Sequence, residues 1–142
     1  MKKKYILDTS AIISFLEGEE GDLRVKSLLE KAELNTIEIY ICFISLIEIY
    51  YITFRKSGED TAAQRLTHIL NLPVNLLKNV NEPFIIQSGM FKAKYSISFA
   101  DSLICSFAYN ENAILVHKDP ELLSLEGEIQ LETLPFKKNN LK

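Results

Sequence analysis

The chain has 142 residues, 47% of them hydrophobic and 25% charged, with a formal charge of −3 and a pI near 5.4. This balance excludes a disordered chain and suits one compact domain spanning residues 1–142. No apolar run reaches the ~18 residues of a membrane span, and Cys42 and Cys105 are too far apart for a close-spaced zinc site or a disulfide framework.

Met1-Lys2-Lys3-Lys4 opens like a signal peptide, but the apolar stretch behind it is broken at Asp8 and ends at Glu17, Glu19 and Glu20 with no small-residue cleavage site. A cytoplasmic protein away from the membrane is therefore expected. Tyr5-Ile6-Leu7 reads as a short strand, followed by a helix from Ser10 to Glu17 and a second from Asp22 to Ala32. Ile37 to Phe43, rich in β-branched and aromatic residues, reads as a strand. Helices are predicted from Ser45 to Lys56, ending at Ser57-Gly58, and from Thr61 to Leu72, stopped by Pro73. Val74 to Leu77 forms a short strand, and Pro83 to Lys94 and Ser98 to Asn110 form two further helices. Ala113 to Val116 is a buried strand, Pro120 opens a short helix, and Ile129 to Leu134 is the last strand, before a polar tail over residues 137–142 with Lys137 and Lys138. Strands alternating with helices predict an α/β fold, with helices on both faces of a central, mainly parallel sheet. In such folds ligands gather beyond the carboxyl ends of the strands.

Three acids are isolated in apolar surroundings. Asp8 is the one charged residue between Tyr5 and Leu16, Glu48 between Cys42 and Phe54, and Asp101 between Tyr95 and Tyr109. An unpartnered carboxylate taken out of water costs several kcal/mol or becomes neutral. Asp119, just past the strand Ala113–Val116, is a fourth candidate, with charged neighbours in Lys118 and Glu121. Taken singly, each acid is accounted for by helix capping. Ser45-x-x-Glu48 and Ser98-x-x-Asp101 match the capping box, Asp119-Pro120 matches an N-cap followed by proline, and Asp8 is placed to cap the first helix. Taken together, Asp8 and Asp119 lie at carboxyl ends of strands and Glu48 in the first turn of the helix after one, so a parallel sheet brings them to a common edge. Like charges gathered there repel unless a cation neutralises them. Oxygen donors without nearby Cys or paired His suit Mg²⁺ or Mn²⁺ rather than zinc.

Four stretches together resemble the motifs of the PIN-domain ribonucleases, especially the toxins of VapBC-type toxin–antitoxin pairs. They are Tyr5-Ile6-Leu7-Asp8-Thr9-Ser10, Ser45-Leu46-Ile47-Glu48-Ile49-Tyr50, Ala100-Asp101-Ser102-Leu103-Ile104 and Leu115-Val116-His117-Lys118-Asp119-Pro120-Glu121-Leu122. The resemblance spans nearly the whole chain and implies a three-layer α/β/α PIN-like fold. It departs at His117, where the family commonly has Thr or Ser; this histidine either ends the strand or approaches the substrate.

The resemblance implies hydrolysis of RNA phosphodiester bonds, with Asp8, Asp101, Asp119 and Glu48 at a Mg²⁺ or Mn²⁺ site. Glu48 either binds a second ion or acts as base on the attacking water. Thr9, Ser10 and Ser45 would orient the carboxylates, or act only as caps. Lys2, Lys3, Lys4, Arg55, Lys56, Arg65, Lys92, Lys94 and Lys118 are candidates for phosphate contact, and Phe91, Tyr95 and Phe99, four residues apart, read as a core stripe or as stacking residues. The segment Cys42–Phe54 is apolar nearly all round, as at a subunit interface. The resemblance implies a homodimer and an antitoxin partner, whose Arg would reach the acidic site. Two other readings compete with a nuclease. One is a PIN-like RNA- or protein-binding module without turnover; the other is a Mg-dependent phosphatase, which would want an acid where Ser10 stands.

Overall fold

The computed structural model describes residues 1–136; the polar tail expected over 137–142 lies outside the described residues. In chain order the elements are β1 (Lys4–Leu7), α1 (Thr9–Glu17), α2 (Asp22–Glu33), β2 (Glu38–Cys42), α3 (Phe43–Ser57), α4 (Glu59–Leu70), β3 (Asn75–Leu77), α5 (Glu82–Lys94), α6 (Phe99–Glu111), β4 (Ile114–His117), a 3₁₀ turn (Pro120–Leu125) and β5 (Gln130–Thr133). The strands form one sheet in the order β3-β2-β1-β4-β5, and every pairing is parallel. The α/β class with a parallel central sheet is as the sequence predicted.

Both faces of the sheet are covered, and strand alternation divides the core in two. Ile6, Cys42 and Leu115 face a cluster with Phe84, Phe91, Ile104 and Phe107 of α5 and α6 and Leu122 and Leu125 of the 3₁₀ turn. Tyr5, Leu7, Ile39, Ile41 and Val116 face the other, with Ile12, Val25, Leu28, Ile49 and Ile69 of α1 to α4. The layers are therefore helix, sheet, helix. After β1 the chain builds outward through β2 to β3, and the α5–α6 passage then returns it to place β4 on the other flank of β1. The boundary between β1 and β4 is thus the topological switch point, where successive loops leave toward opposite faces and open a crevice.

Two local expectations are overturned. Helix α3 starts at Phe43, two residues before the expected Ser45, because β2 runs straight into it with no loop; Cys42 stands at the N-cap position and makes no side-chain capping bond. The Ser45–Glu48 capping box therefore does not form, and Glu48 lies in the second turn of α3 rather than the first. The Phe91–Tyr95–Phe99 stripe does not exist either. α5 ends at Lys94, Tyr95 is extended (φ −127°, ψ 148°), and Phe99 opens a new helix. Phe91 is core while Phe99 is 69% exposed. Along α3, Ile47, Tyr51, Ile52 and Phe54 remain outward as the apolar composition of that segment suggested.

Gly21 joins the start of α2 to the end of the sheet. Its φ is +96°, and a Cβ there would lie 3.1 Å from Leu134 Cβ; Gly18, at φ +68°, has open space around it. Gly21→Ala is expected to cost about 2–4 kcal/mol, combining left-handed strain with overpacking, and Gly18→Ala only about 1 kcal/mol. Urea denaturation of both variants measures the difference; equal losses would show that Leu134 imposes no steric limit.

Candidate active site

Asp8 follows β1 directly. Its N–H donates to Val116 O at 3.0 Å, the last rung between β1 and β4, and its extended backbone (φ −79°, ψ 176°) makes it the N-cap of α1. Oδ1 accepts the Ala11 N–H at 3.0 Å and the Ser10 hydroxyl at 2.7 Å. Ser10 Oγ in turn accepts the Lys118 N–H at 2.9 Å, so one hydroxyl fastens the carboxylate to the loop after β4. Asp8 is only 3% exposed. Burial pushes its pKa up to about 7, against the pull of the Ser10 and Ala11 bonds and with added repulsion from Asp101 and Asp119.

Asp101 sits in the first turn of α6, where the Ser98 hydroxyl accepts its N–H at 3.0 Å, so this half of the expected capping box is real. Its pKa is pushed up to about 6, first by burial and then by the charge of Asp119, with Ser98 opposing and Glu48 adding repulsion. Asp119 caps the 3₁₀ turn, its Oδ1 accepting the Glu121 N–H at 2.9 Å. Glu48 reaches in from α3, where Oε1 accepts the Thr9 hydroxyl. Thr9 Oγ1 is also 3.0 Å from the buried Ser45 hydroxyl. Thr9 has a single proton, which the carboxylate, as the stronger acceptor, takes; Ser45 then donates to Thr9. The acids thus come from four separate segments; Asp8 feels the charges of Asp101 and Asp119, and Asp101 those of Asp119 and Glu48, while the carboxylates that close to within 4.8 Å of one another include Asp101 and Asp119 but neither Asp8 nor Glu48. Thr9 lies against Glu48 and Ser10 against Asp8, while Ser45 reaches the acids only through Thr9.

Asp101, Asp119 and Glu121 bring carboxylate oxygens to within 4.8 Å of one another. Glu121 is not among the acids the sequence singles out; its signal there is the Asp-Pro-Glu spelling of a tight turn, which brings it beside Asp119. This set of hard oxygen donors, in which burial and the charge of Asp119 raise the pKa of Asp101, fits a divalent cation. Cys42 and Cys105 are buried free thiols whose pKa values burial raises, and neither is a donor here.

His117 does not face the crevice. It is fully buried, burial lowers its pKa, and both ring nitrogens are engaged, Nδ1 by the Asp119 N–H at 3.0 Å and Nε2 by Thr133 Oγ1 at 2.9 Å. Of its two sequence readings, the strand-ending one holds. The basic candidates divide as well. Lys2, Lys3 and Lys4 stand at the amino end of β1, the opposite edge of the sheet from Asp8, and Lys4 pairs with Glu111 at 3.5 Å. Lys118 is turned inward onto Glu20 O (2.8 Å) and Glu19 (3.5 Å), Arg65 pairs with Glu17 at 2.8 Å, and Lys92 donates to Ile97 O at 2.8 Å.

Residues 5–128 match the PIN domain model. The chain belongs to the PIN-domain family. No curated protein matches it by sequence. Among solved structures, this PIN domain is similar to VapBC2 from Rickettsia felis bound to a DNA fragment from its promoter, with 20% identity, a TM-score of 0.75, and coverage of 92% of this chain and 98% of that one. It is also similar to DNA-bound VapBC from Salmonella typhimurium, at 19% identity, a TM-score of 0.71 and coverage of 94% and 98%. A third is VapC20 of Mycobacterium tuberculosis, described as a sarcin-ricin loop cleaving toxin, at 17% identity, a TM-score of 0.64 and coverage of 92% and 99%. At these identities the likeness is one of fold.

The raised Asp8 pKa has a definite consequence for metal-free stability. Its folded value of about 7 exceeds the ordinary 3.8, so the protein prefers the protonated form. The stability this confers is complete below pH 3.8 and is lost as pH rises through 7. Asp8→Asn keeps an acceptor for Ser10 and Ala11 but cannot ionise. In EDTA at pH 9 it is expected to be about 2–4 kcal/mol more stable than wild type, with the gain fading below pH 7 and gone near pH 4. A pH-independent difference in urea unfolding would contradict this account.

Proposed function

We propose that this PIN-domain protein is a metal-dependent endoribonuclease, the toxin of a toxin–antitoxin pair, acting in the cytoplasm. What supports the reading is the neighbourhood of acids around Asp101, where burial and the charges of nearby carboxylates raise the pKa values of Asp8 and Asp101 and Asp101 and Asp119 close on each other with Glu121. Such crowding is unfavourable unless a cation offsets it. Likeness to the VapBC complexes and to a toxin described as cleaving the sarcin-ricin loop supports RNA as the substrate and an antitoxin as the partner.

In this reading Asp8, Asp101 and Asp119 hold Mg²⁺ or Mn²⁺, with Glu121 alongside. The chemistry supplied by such an ion when bound is Lewis acidity toward a phosphoryl oxygen and toward water. The chain's own residues do the rest. Ser10 and the Ala11 N–H fix the rotamer of Asp8, and the capped first turns of α1 and α6 set their positive ends behind Asp8 and Asp101. Thr9 holds Glu48 through one oxygen, leaving the other to take a proton from the water that attacks the phosphorus in line. The outward apolar residues of α3 (Ile47, Tyr51, Ile52, Phe54) support a protein partner on that side, either a second copy or the antitoxin. No helix among the described residues is long and apolar enough to cross a membrane.

Asp8→Asn and Asp101→Asn are each expected to slow RNA cleavage by ~10²-fold or more while RNA binding persists, since ~3 kcal/mol of transition-state stabilisation corresponds to that factor. Cleavage of tRNA, rRNA and mRNA pools, assayed with Mg²⁺, Mn²⁺ or EDTA, checks this. Undiminished cleavage in EDTA, or by Asp8→Asn, would refute the metal-dependent mechanism. RNA binding with no cleavage by wild type under any of these conditions would identify a binding module.

A further inference from the structure

We propose that His117 is the positioning residue for Asp119: its imidazole, held by Thr133 as the Nε2–H tautomer, anchors the turn that presents the Asp119 carboxylate to the acidic crevice. The inference rests on the proposed role of Asp119 in holding a divalent cation.

β4 ends at His117, which pairs in register with Thr133 of β5, and the Leu134 N–H donates to His117 O at 2.8 Å. Beyond that point the chain leaves the ladder, and the Asp119 N–H has no strand partner. His117 supplies one. By strand alternation its side chain shares the face of Leu115, under the 3₁₀ turn and α6, and there it is 0% exposed. Nδ1 accepts the Asp119 N–H at 3.0 Å, closing a turn in which the side chain of one residue bonds the backbone two residues on. Asn and Ser make such turns with oxygen; here an aromatic nitrogen does it. A nitrogen that accepts carries no proton, so in the neutral ring the proton lies on Nε2, which donates to Thr133 Oγ1 at 2.9 Å. The ring is thereby fixed in rotamer and tautomer from both ends.

The consequence falls on Asp119. Its N–H is tied to the imidazole and its Oδ1 to the Glu121 N–H at 2.9 Å, so the turn is fastened on both sides of the residue. The carboxylate is left beside Asp101, where its charge is felt. Loss of the imidazole acceptor would leave a part-buried N–H without that partner and free the turn to rotate Asp119 out of the cluster. Partners of this kind typically alter metal affinity by 10–100-fold.

Two measurements test the proposal independently of any nuclease activity. Long-range ¹H–¹⁵N spectra of the wild-type protein at pH 7.5 are expected to show His117 with a bare Nδ1 and a protonated Nε2. Titration with Mn²⁺, followed by calorimetry, is expected to show ~10-fold or greater weakening in His117→Leu, which keeps bulk without an acceptor. His117→Asn should bind Mn²⁺ within ~3-fold of wild type, since its Oδ1 stands where Nδ1 does and continues to accept. A charged or Nδ1–H ring overturns the proposal even if His117→Leu fails to fold. Wild-type Mn²⁺ affinity in a folded His117→Leu, or an Asn variant as impaired as the Leu variant, also overturns it. If wild type binds Mn²⁺ and the variants behave as expected but no RNA is cleaved, the nuclease reading fails and the positioning role stands. If wild type binds no Mn²⁺, the cation-holding role of Asp119 falls, and the proposal falls with it.

Discussion

The structure depends on placing ionisable carboxyl groups where water is scarce. A parallel sheet sends all its carboxyl ends to one edge, and the order β3-β2-β1-β4-β5 puts the crevice between β1 and β4. Asp8 closes one of those strands and Asp119 follows the other, while α6 and α3 bring Asp101 and Glu48 to meet them. Burial makes the charge of Asp8 costly, and the charges of Asp101 and Asp119 make it more so, hence a carboxyl group held up near pH 7. A globular core offers no advantage from such an arrangement, so its persistence has to be sought in what it binds.

The surrounding hydrogen bonds restrain the acids without neutralising them. Ser10 fastens Asp8 to the backbone of Lys118, Thr9 of α1 holds Glu48 of α3 and is itself held by Ser45, and the His117 ring ties the Asp119 turn to β5. These hydroxyl and imidazole groups are small or buried and cross-link different elements, so the geometry of the crevice is set by the rigid sheet rather than by free loops. Lys118 illustrates the same economy. The basic residue nearest the site in sequence is turned inward to strap α1 and the following loop to β4, leaving its charge directed at Glu19 and Glu20 rather than at the crevice.

Charge is also segregated along the sheet. The run Lys2-Lys3-Lys4 lies at the amino end of β1, the edge away from the acids. An anionic polymer approaching the acids would meet their repulsion, which an ion held among them would offset. The outward apolar face of α3 gives a reason to consider the protein in the company of another chain.

Local patterns alone determined a good deal: the alternation of strands and helices, the parallel α/β class, and the three acids set alone in apolar runs. Each is a short-range property, because periodicity and the cost of burying charge act within one segment. Register and helix entry were decided by tertiary structure. Ser45 spelled a capping box, yet the direct passage from β2 into α3 drew it inside to meet Thr9, thirty-six residues away. Phe91, Tyr95 and Phe99 kept a helical spacing across a break that spacing cannot reveal. His117 and Glu121 gained their places from a strand end and a tight turn, where packing against β5 and α6 chooses among conformations that the local sequence leaves nearly equal in energy.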